Sequence, residues 1–304
     1  MRALVTGATG FVGGKLTEAL SRRGAAVRCL VRDRSRASEL EHAGHELHED
    51  DVLDPESLKG AALGVDVAYY LIHSMGRGGD GGFVRRERSA ARAFASMARE
   101  AGVERVVYLG GLGEQPSSEH LRSRHETAEI LGREGPPLTY FRAAMVVGAG
   151  SDSYRTLRHL VERLPAMIAP AWLETATQPI GVEDVIAYLS EAPDVAASTG
   201  REVQIGGPDV LTYGEMLDRM AGALGRRPAP RIPVPFITPR LSSLWIGLVT
   251  PVDAAVARPL VEGLSTETVV TDPSGAALFD VEPAPFDETL RLALAEERAT
   301  TAAT

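Results

Sequence analysis

The chain has 304 residues, of which 41 are acidic and 32 basic, so its formal net charge is −9. Nucleic-acid binding needs a basic face, and this balance therefore argues against a nucleic-acid partner. With 44% hydrophobic and 24% charged residues, the composition is typical of a soluble globular protein, and the length suffices for one large domain or a domain and a half.

Cysteine content and the apolar runs indicate the compartment. The single cysteine, Cys29, cannot form a disulfide within the chain, which fits a reducing environment. A strand pattern begins at the first residues in place of a secretory leader, and no apolar run approaches the roughly 20 residues that span a bilayer. We therefore expect a cytoplasmic protein without a membrane span, either a monomer or a homodimer.

The first 14 residues, MRALVTGATGFVGG, predict a strand, a glycine-rich turn and an amphipathic helix. This is the geometry that seats a dinucleotide pyrophosphate at a helix N-terminus. Gly7 would turn the chain sharply, Gly10 would let the backbone approach the phosphates, and Gly13 would allow close packing of the helix. The alternative is a glycine turn without a ligand. The expected cofactor contacts are Gly7, Thr9, Gly10, Phe11, Val12 and Gly13.

The second predicted strand, Ala26–Val31, ends beside a basic stretch that bears on the choice of cofactor. An acidic residue at this strand end would bind the 2′-hydroxyl of NAD, whereas arginine would accommodate the 2′-phosphate of NADP. Arg32 comes first and Arg34 follows, so we expect NADP(H). Asp33 leaves NAD open, and a solvated run of charges without a ligand is the other alternative.

Further strands and helices alternate to about residue 150, which predicts an α/β fold with a doubly wound parallel sheet of the Rossmann type. We expect strands at 45–49, 65–72, 105–109 and 138–142. Helices are expected at 36–43, from Asp54 onward, at 83–101 and at 119–133. The two long helices would form a dimer face or pack only within the fold.

Beyond residue 150 the alternation weakens and prolines accumulate between 228 and 239, where regular helix is disfavoured. We expect residues 1–150, with about 177–208, to form the NADP(H)-binding domain. A smaller C-terminal substrate lobe would comprise about 151–176 and 209–295. Residues 296–304 carry no pattern and are expected to be a disordered tail.

Several motifs together resemble the atypical branch of the extended short-chain dehydrogenase/reductase superfamily, in particular a bacterial subgroup of NAD(P)H-binding oxidoreductases and epimerase-like proteins. They are TGATGFVGG at 6–14, EDDVLDPESL at 49–58, VDVAYYLIHSMG at 65–76, VERVVYLGGLG at 103–113, FRAAMVVGAGS at 141–151 and TQPIGVEDVIAYL at 177–189. The resemblance covers roughly residues 1–210. It implies that Asp51 and Val52 flank the adenine. It also implies that the cofactor is lined by Leu71, Ile72, His73, Ala143, Ala144 and Met145.

The chain departs from the superfamily at the usual catalytic residues, a tyrosine with a lysine four positions later and an upstream serine or threonine. The corresponding helix, EHLRSRHETAEIL at 119–131, has neither tyrosine nor lysine, and Gly110-Gly111-Leu112 replaces the hydroxyl residue. Alcohol–ketone chemistry by that triad is therefore in doubt.

The remaining candidates for proton donation are His73 and Ser74, at the end of the fourth strand, and His125 on the helix that lacks the pair. Each histidine has a structural alternative: His73 would shape the strand end, and His125 would be an exposed helix residue. The histidines at 42, 45 and 48 cross a helix-to-strand boundary, so their side chains should not converge and no metal site is expected.

Expected substrate contacts are Met75, Gly111, Trp172 and Gln178, with the apolar stretch 237–249 and Trp245 as a further wall or as plain core. The glycine-rich segment 76–82 would be a lid or only a connector. The favoured function is an NADPH-dependent reductase of a small, fairly apolar carbonyl, enone, quinone or imine. The alternatives are a non-catalytic NADP(H)-binding sensor or assembly factor and, ranked lower, a sugar-nucleotide epimerase or dehydratase.

Overall fold

The computed structural model describes residues 1–72, 82–113, 119–164, 166–233 and 264–303. The helices are α1 (Phe11–Arg22), α2 (Ser38–His42), α3 (Gly82–Glu100), α4 (Glu119–Glu134), α5 (Asp152–Arg163), α6 (Val182–Glu191), α7 (Tyr213–Ala223) and α8 (Phe286–Ala303). The strands are β1 (Arg2–Thr6), β2 (Ala26–Val31), β3 (Glu46–Glu49), β4 (Val67–Tyr70), β5 (Arg105–Gly111), β6 (Leu138–Ala143), β7 (Val146–Val147), β8 (Met167–Ala169), β9 (Ala176–Thr177), β10 (Ile180–Gly181), β11 (Glu202–Ile205), β12 (Leu211–Thr212) and β13 (Arg231–Pro233).

Seven strands form the central sheet in the order β3-β2-β1-β4-β5-β6-β11, and every neighbouring pair is parallel. The predicted doubly wound α/β fold is therefore confirmed. The chain moves outward in one direction from β1 to β3 and in the other from β4 to β6. This reversal between β1 and β4 opens a crevice at the carboxyl edge of the sheet, where open α/β sheets bind their ligands.

Each strand of the sheet buries side chains on both faces, because helices cover both. In β1, Ala3 and Val5 join the apolar cluster under α1 and α6, whereas Leu4 joins the opposite cluster under α3 and α4. Tyr69 and Tyr70 in β4 divide in the same way. This alternation explains why the strands read as continuous apolar runs in the sequence.

A third apolar cluster lies among α5, α7 and α8, with Tyr154, Leu157, Met216, Met220 and Leu290 in its centre. It belongs to the part of the chain where the sequence predicts a smaller lobe. Its packing is separate from the two clusters of the sheet. The boundaries between the two predicted units stay a prediction.

Two local expectations are wrong. The segment after Asp54 is not a helix. Residues 52–64 form successive turns, in which a backbone N–H donates to the carbonyl oxygen three residues earlier. The Asp54 carboxylate accepts from the backbone N–H of Glu56 at 3.1 Å. The end of the chain is not a disordered tail from residue 296, because α8 continues to Ala303.

Packing and ion pairs hold the end of α8 in place, a tertiary effect that local pattern does not report. Leu290, Ala293 and Leu294 are buried. Glu296 pairs with Lys15 of α1 at 2.8 Å, and Glu297 pairs with Arg158 of α5. The last helix therefore contacts both the sheet domain and the third cluster.

None of the helices in the described ranges combines the length and the apolar character that crossing a bilayer requires.

Candidate functional site

A cavity of about 810 Å³ opens at the carboxyl edge of the sheet, over the ends of β1, β2, β4, β5 and β6. Its volume is within the range usual for cofactor and small-molecule sites. Most of the predicted cofactor residues line it: Gly7, Thr9, Gly10, Phe11, Val12, Gly13, Arg32, Asp51, Val52, Leu71, Ile72, Ala143, Ala144 and Met145. The predicted substrate residue Gly111 lines it as well.

The glycine turn between β1 and α1 adopts a backbone that side chains would obstruct. Gly7 has φ +69°, and a Cβ there would lie 2.8 Å from the carbonyl oxygen of Leu71. A Cβ on Gly13 would lie 2.1 Å from the carbonyl oxygen of Gly7. Gly10 caps α1 without a side-chain hydrogen bond, so the first N–H groups of the helix remain available to an anion.

Thr6, which the sequence analysis did not single out, fixes the two strand ends beside this turn. Its buried hydroxyl donates to the carbonyl of Tyr69 at 3.0 Å and accepts from the N–H of Leu71 at 3.0 Å. The end of β1 is thereby bonded through a side chain to the end of β4. The residue type alone gives no signal for this role, since threonine is common in buried strands.

The basic stretch after β2 divides into one cavity residue and two residues with local partners. Arg32 is exposed and lines the cavity. The Asp33 carboxylate accepts from the N–H of Ser35 at 3.0 Å and from its hydroxyl at 2.6 Å, and these bonds lower the pKa of Asp33. Arg34 pairs with Glu41 of α2 at 2.5 Å. Neither Asp33 nor Arg34 is among the cavity-lining residues.

At the end of β5, side chains pack closely against the two glycines that stand where the resemblance places a hydroxyl residue. A Cβ on Gly110 would lie 2.6 Å from the ring of Tyr140, and one on Gly111 would lie 2.9 Å from Leu121 of α4. Leu121 and Arg124, one helical turn apart, are the α4 residues that line the cavity within the described ranges. The chain thus lacks the usual triad, and Tyr140 and Leu121 fill the space beside Gly110 and Gly111.

His125 does not line the cavity. Its Nε2 lies 3.2 Å from the carbonyl oxygen of Gly113, to which Arg142 also donates at 2.9 Å. Its Nδ1 lies 3.5 Å from the hydroxyl of Tyr140. Burial, and then the positive charge of Arg142, lower the pKa of His125. These contacts indicate that His125 helps to hold the turn after β5, and they differ from the expectation of an exposed helix residue.

Arg142 at the end of β6 is buried and also shapes this wall. It donates to the carbonyl oxygen of Gly111 at 3.2 Å and pairs with Glu202 of β11 at 2.6 Å. Because its guanidinium bonds the carbonyls of both Gly111 and Gly113, it fixes the path by which the chain leaves β5. Arg142 directly precedes Ala143, which the resemblance places along the cofactor, and its side chain binds the protein backbone.

Two predicted substrate residues lie away from the cavity lining. Trp172 packs edge-on against Tyr213, with ring centroids 6.1 Å apart. The amide of Gln178 donates to the carbonyl of Gly207 at 2.7 Å and accepts from the N–H of Val270 at 3.0 Å. Both side chains therefore stabilise the fold. His73, Ser74, Met75, the segment 76–81, the stretch 237–249 and Trp245 fall outside the described residues.

The three histidines of the second and third βα units do not converge. His42 contacts the carbonyl of Ser38 at 2.6 Å, whereas His48 lies 2.5 Å from the carboxylate of Asp50. The described residues contain no cluster of histidine, cysteine and acidic side chains arranged to bind a metal.

Several cavity residues were not anticipated. They are Arg86 and Glu87 on α3, Arg124 on α4, Ser151, Asp152 and Ser153 at the start of α5, Tyr213 on α7, and Leu264 and Thr268. Leu121 and Arg124 are three residues apart on one helix, and this spacing was the available signal for Arg124. For Tyr213 and Thr268 the sequence gives no signal, since they reach the cavity from distant elements.

The cavity fits a nicotinamide dinucleotide by its donor set. It combines a side-chain-free turn at a helix N-terminus for phosphates, the guanidinium of Arg32 at the end of β2, and small residues at the end of β6. The turn is also too closely packed to carry side chains, since a Cβ at Gly7 or Gly13 would overlap backbone atoms. Because these glycines have no side chains, the cavity beside the turn stays open to a ligand.

The comparisons with known proteins agree with this site. Residues 7–136 match the family model described as NAD(P)H-binding. A ceramide reductase of Caulobacter vibrioides is 27% identical over 294 residues, which cover 93% of this chain and 89% of that protein. Subunit 9 of the alpha subcomplex of mitochondrial NADH dehydrogenase [ubiquinone] 1 of Arabidopsis thaliana is 26% identical over 290 residues, covering 89% of this chain and 71% of that protein.

Among solved structures, the triphenylmethane reductase of Citrobacter sp. complexed with NADP(H) has the same fold, with a TM-score of 0.76 and 20% identity over 96% of this chain and 99% of that one. The expected NAD(P)H-binding domain and Rossmann fold are thereby confirmed. The relatives include NAD(P)H-dependent reductases, at low identity.

Proposed function

Because this chain carries an NAD(P)H-binding domain on a fold of the short-chain dehydrogenase/reductase type, we propose that it is an NADP(H)-dependent reductase of the atypical branch of that superfamily. Its substrate is a small, fairly apolar carbonyl, enone, quinone or imine. The observation that carries the proposal is the single cavity joining the glycine turn, Arg32 and the ends of β5 and β6. Such a cavity accommodates a cofactor and leaves an end for a second molecule.

In this proposal the chain's own residues bind and orient the cofactor. The N–H groups at the start of α1 would bind the pyrophosphate. As the family resemblance implies, Asp51 and Val52 would flank the adenine, and Ala143 and Met145 would line the nicotinamide. When bound, the cofactor supplies hydride, and the protein supplies position and exclusion of water.

The arrangement after β2 supports NADP(H) over NAD(H). Arg32 lines the cavity, whereas the carboxylate of Asp33 accepts two hydrogen bonds from Ser35 and does not line it. Arginine is suited to a phosphate because its planar guanidinium binds two oxygens at once.

The end of the cavity near β5 supports an apolar substrate. Five apolar side chains contribute to the cavity wall: Leu109, Leu112, Leu121, Met145 and Leu264. Burying apolar ligand surface against such residues contributes about 25 cal/mol per Å².

The first experiment is parallel titration of the protein with NADPH and NADH, followed by melting temperature. A clear preference for NADPH is expected. NADPH labelled with deuterium at C4 would then be incubated with a panel of quinones, enones, ketones and imines, and products examined by mass spectrometry. Transfer of deuterium into one class establishes a reductase. Tight NADPH binding with no transfer to any class contradicts it.

That negative outcome would favour a second candidate, a non-catalytic NADP(H)-binding sensor or assembly factor. The repacked wall of Gly111 and Leu121, in place of the usual triad, is the observation in its favour. One relative is named as a subunit of a respiratory NADH dehydrogenase. A partner protein retained on the immobilised chain only when NADPH is present would support this candidate.

A further inference from the structure

One cationic side chain stands at the β5 end of the cavity, on the helix that lacks the tyrosine and lysine. Arg124 of α4 lines the cavity beside Leu121. Its Nη2 donates to the carbonyl of Leu109 at 3.3 Å, and its Nη1 lies 4.0 Å from the position that a Cβ on Gly111 would occupy. The guanidinium therefore lies at the carboxyl end of β5.

The surroundings of Arg124 increase the effect of its charge. The side chain is half-buried, and the neighbouring wall residues Leu109, Leu112 and Leu121 are buried and apolar. The buried carboxylate of Glu87 on α3 also lines the cavity. Charges interact more strongly where water is excluded and the effective dielectric constant is low. A donor fixed in such a wall stabilises a developing anion without reorganising during the reaction.

The phenol of Tyr213, among the hydroxyl groups that line this cavity, holds its proton firmly. Tyr213 lines the cavity from α7, and burial raises the pKa of Tyr213 to about 12. Its hydroxyl is also hydrogen-bonded by Thr177 and Thr268. His125, with its own backbone partner, does not line the cavity. Arg124 is thus a cation of the cavity lining that lies at the end of β5.

We propose that Arg124 stabilises the oxygen of the hydride acceptor as a fixed positive charge, and that the acceptor is therefore a conjugated carbonyl compound, an enone or a quinone. This inference rests on the proposed reductase function and narrows its substrate class. Arginine stays protonated at any pH at which the protein is folded, so it stabilises negative charge and donates no proton.

The electron balance selects this class of acceptor. An enone takes the hydride at its β carbon, where a C–H bond forms, and its π electrons move to oxygen to give an enolate. A quinone takes the hydride at one oxygen, and its π electrons move to the other oxygen to give the hydroquinone monoanion, a phenolate. Such an anion persists until it takes one proton from water, completing the addition of a hydride and a proton. An isolated ketone would give an alkoxide, which is far more basic and needs a proton donor during the transfer itself.

The first test uses binding of 4-nitrophenol to the protein saturated with NADP⁺, which needs no turnover. The phenolate absorbs in the visible range, so a pH titration reports the pKa of the bound probe. An opposite charge within about 4–6 Å lowers such a pKa by about 1–3 units. We expect that shift in the wild type and in Arg122→Gln, an exposed arginine of the same helix. It should vanish in Arg124→Gln.

An unshifted probe in the wild type, or an equal shift in Arg124→Gln, overturns the proposal. Circular dichroism and melting temperature check that both variants are folded, and Arg124→Lys, which keeps the charge, should retain part of the shift. Retention by Arg124→Lys distinguishes a charge effect from altered packing.

Kinetics provide the second test. Arg124→Gln should lower kcat for a quinone by about 10²–10³-fold, the usual cost of removing one oxyanion donor, while the Kd for NADPH changes less than about twofold. The kcat for the quinone should be independent of pH between pH 6 and 9, because no protein group donates a proton during hydride transfer. Arg122→Gln, at a residue that does not line the cavity, should leave kcat within a few-fold.

Three results would overturn the assignment: an isolated ketone reduced as fast as the quinone, a loss of NADPH affinity that accounts for the whole effect of Arg124→Gln, or an equal loss of kcat in Arg122→Gln. Failure of the wild type to bind NADPH would instead contradict the proposed function itself. The two failures are therefore distinguishable.

Discussion

Substitution of Gly13 by alanine tests the packing of the glycine turn. The added Cβ would lie 2.1 Å from the carbonyl oxygen of Gly7 and 2.7 Å from its carbonyl carbon. Both contacts are with backbone, so no side-chain rotation relieves them, and α1 must move by about 1 Å or more to restore ordinary contact. Overpacking of this kind costs about 1–3 kcal/mol, against a gain of at most about 1 kcal/mol from the helix propensity of alanine.

The matched control is Gly14→Ala in the same helix. A Cβ there would lie 3.4 Å from the carbonyl oxygen of Ala8, an ordinary contact, so this variant gains propensity without a clash. For a chain of this size we expect Gly13→Ala to lower Tm by roughly 2–6 °C and Gly14→Ala to leave it unchanged or slightly higher.

The same displacement should affect the ligand. Because α1 presents its N–H groups to the phosphates, a shift of its first turn should weaken NADPH binding at least about tenfold in Gly13→Ala and not in Gly14→Ala. Differential scanning fluorimetry and isothermal titration calorimetry measure the two quantities. If Gly13→Ala melts with the wild type and binds NADPH equally well, the turn is not packed as described and the reasoning fails.

Three further predictions concern the cavity wall. Arg32→Ala should weaken NADPH binding by about 10- to 100-fold and NADH binding by less than about twofold in calorimetry, since one charge-assisted contact is lost, whereas Arg34→Ala should change neither; equal losses for both cofactors would contradict the NADP(H) assignment. The pKa of His125 is lower in the folded protein than its ordinary value near 6.5, so between these two pKa values the unfolded chain binds more protons. The free energy of unfolding should therefore decrease as the pH is lowered from about 6.5 toward the folded-state pKa. His125→Asn should flatten that part of the Tm-against-pH curve, and an unchanged curve would show that His125 is not responsible. Gly111→Ser should lower the free energy of unfolding by about 1–2 kcal/mol, because its Cβ would lie 2.9 Å from Leu121. In urea unfolding, the Gly111→Ser/Leu121→Ala double variant should lose less free energy of unfolding than the two single variants lose together.

The fold and half of the site followed from local sequence patterns. The strand, glycine turn and helix of the first 14 residues are contiguous, so their periodicity and glycine spacing predict the turn in which Gly7, Gly10 and Gly13 line the cavity. Parallel order and the carboxyl-edge cavity followed as well, because right-handed crossovers leave few arrangements for alternating strands and helices. Arg32 was predicted for the same reason, as the first residue after β2.

Tertiary structure decided what those patterns could not. Whether Asp33 or Arg34 reaches the cavity depends on Ser35 and Glu41, which take them as partners. The end of α8 is ordered by residues that lie far away in the chain: Glu296 pairs with Lys15, and Glu297 pairs with Arg158.

The chemistry of the wall was decided in the same way. The sequence determined that a tyrosine and a lysine are missing from α4, but only the packing of Leu121 and Arg124 against the end of β5 shows what replaces them. Helix periodicity assigns residues to one face of a helix. Which face meets a cavity depends on contacts between elements distant in sequence, and these are settled only when the chain has packed.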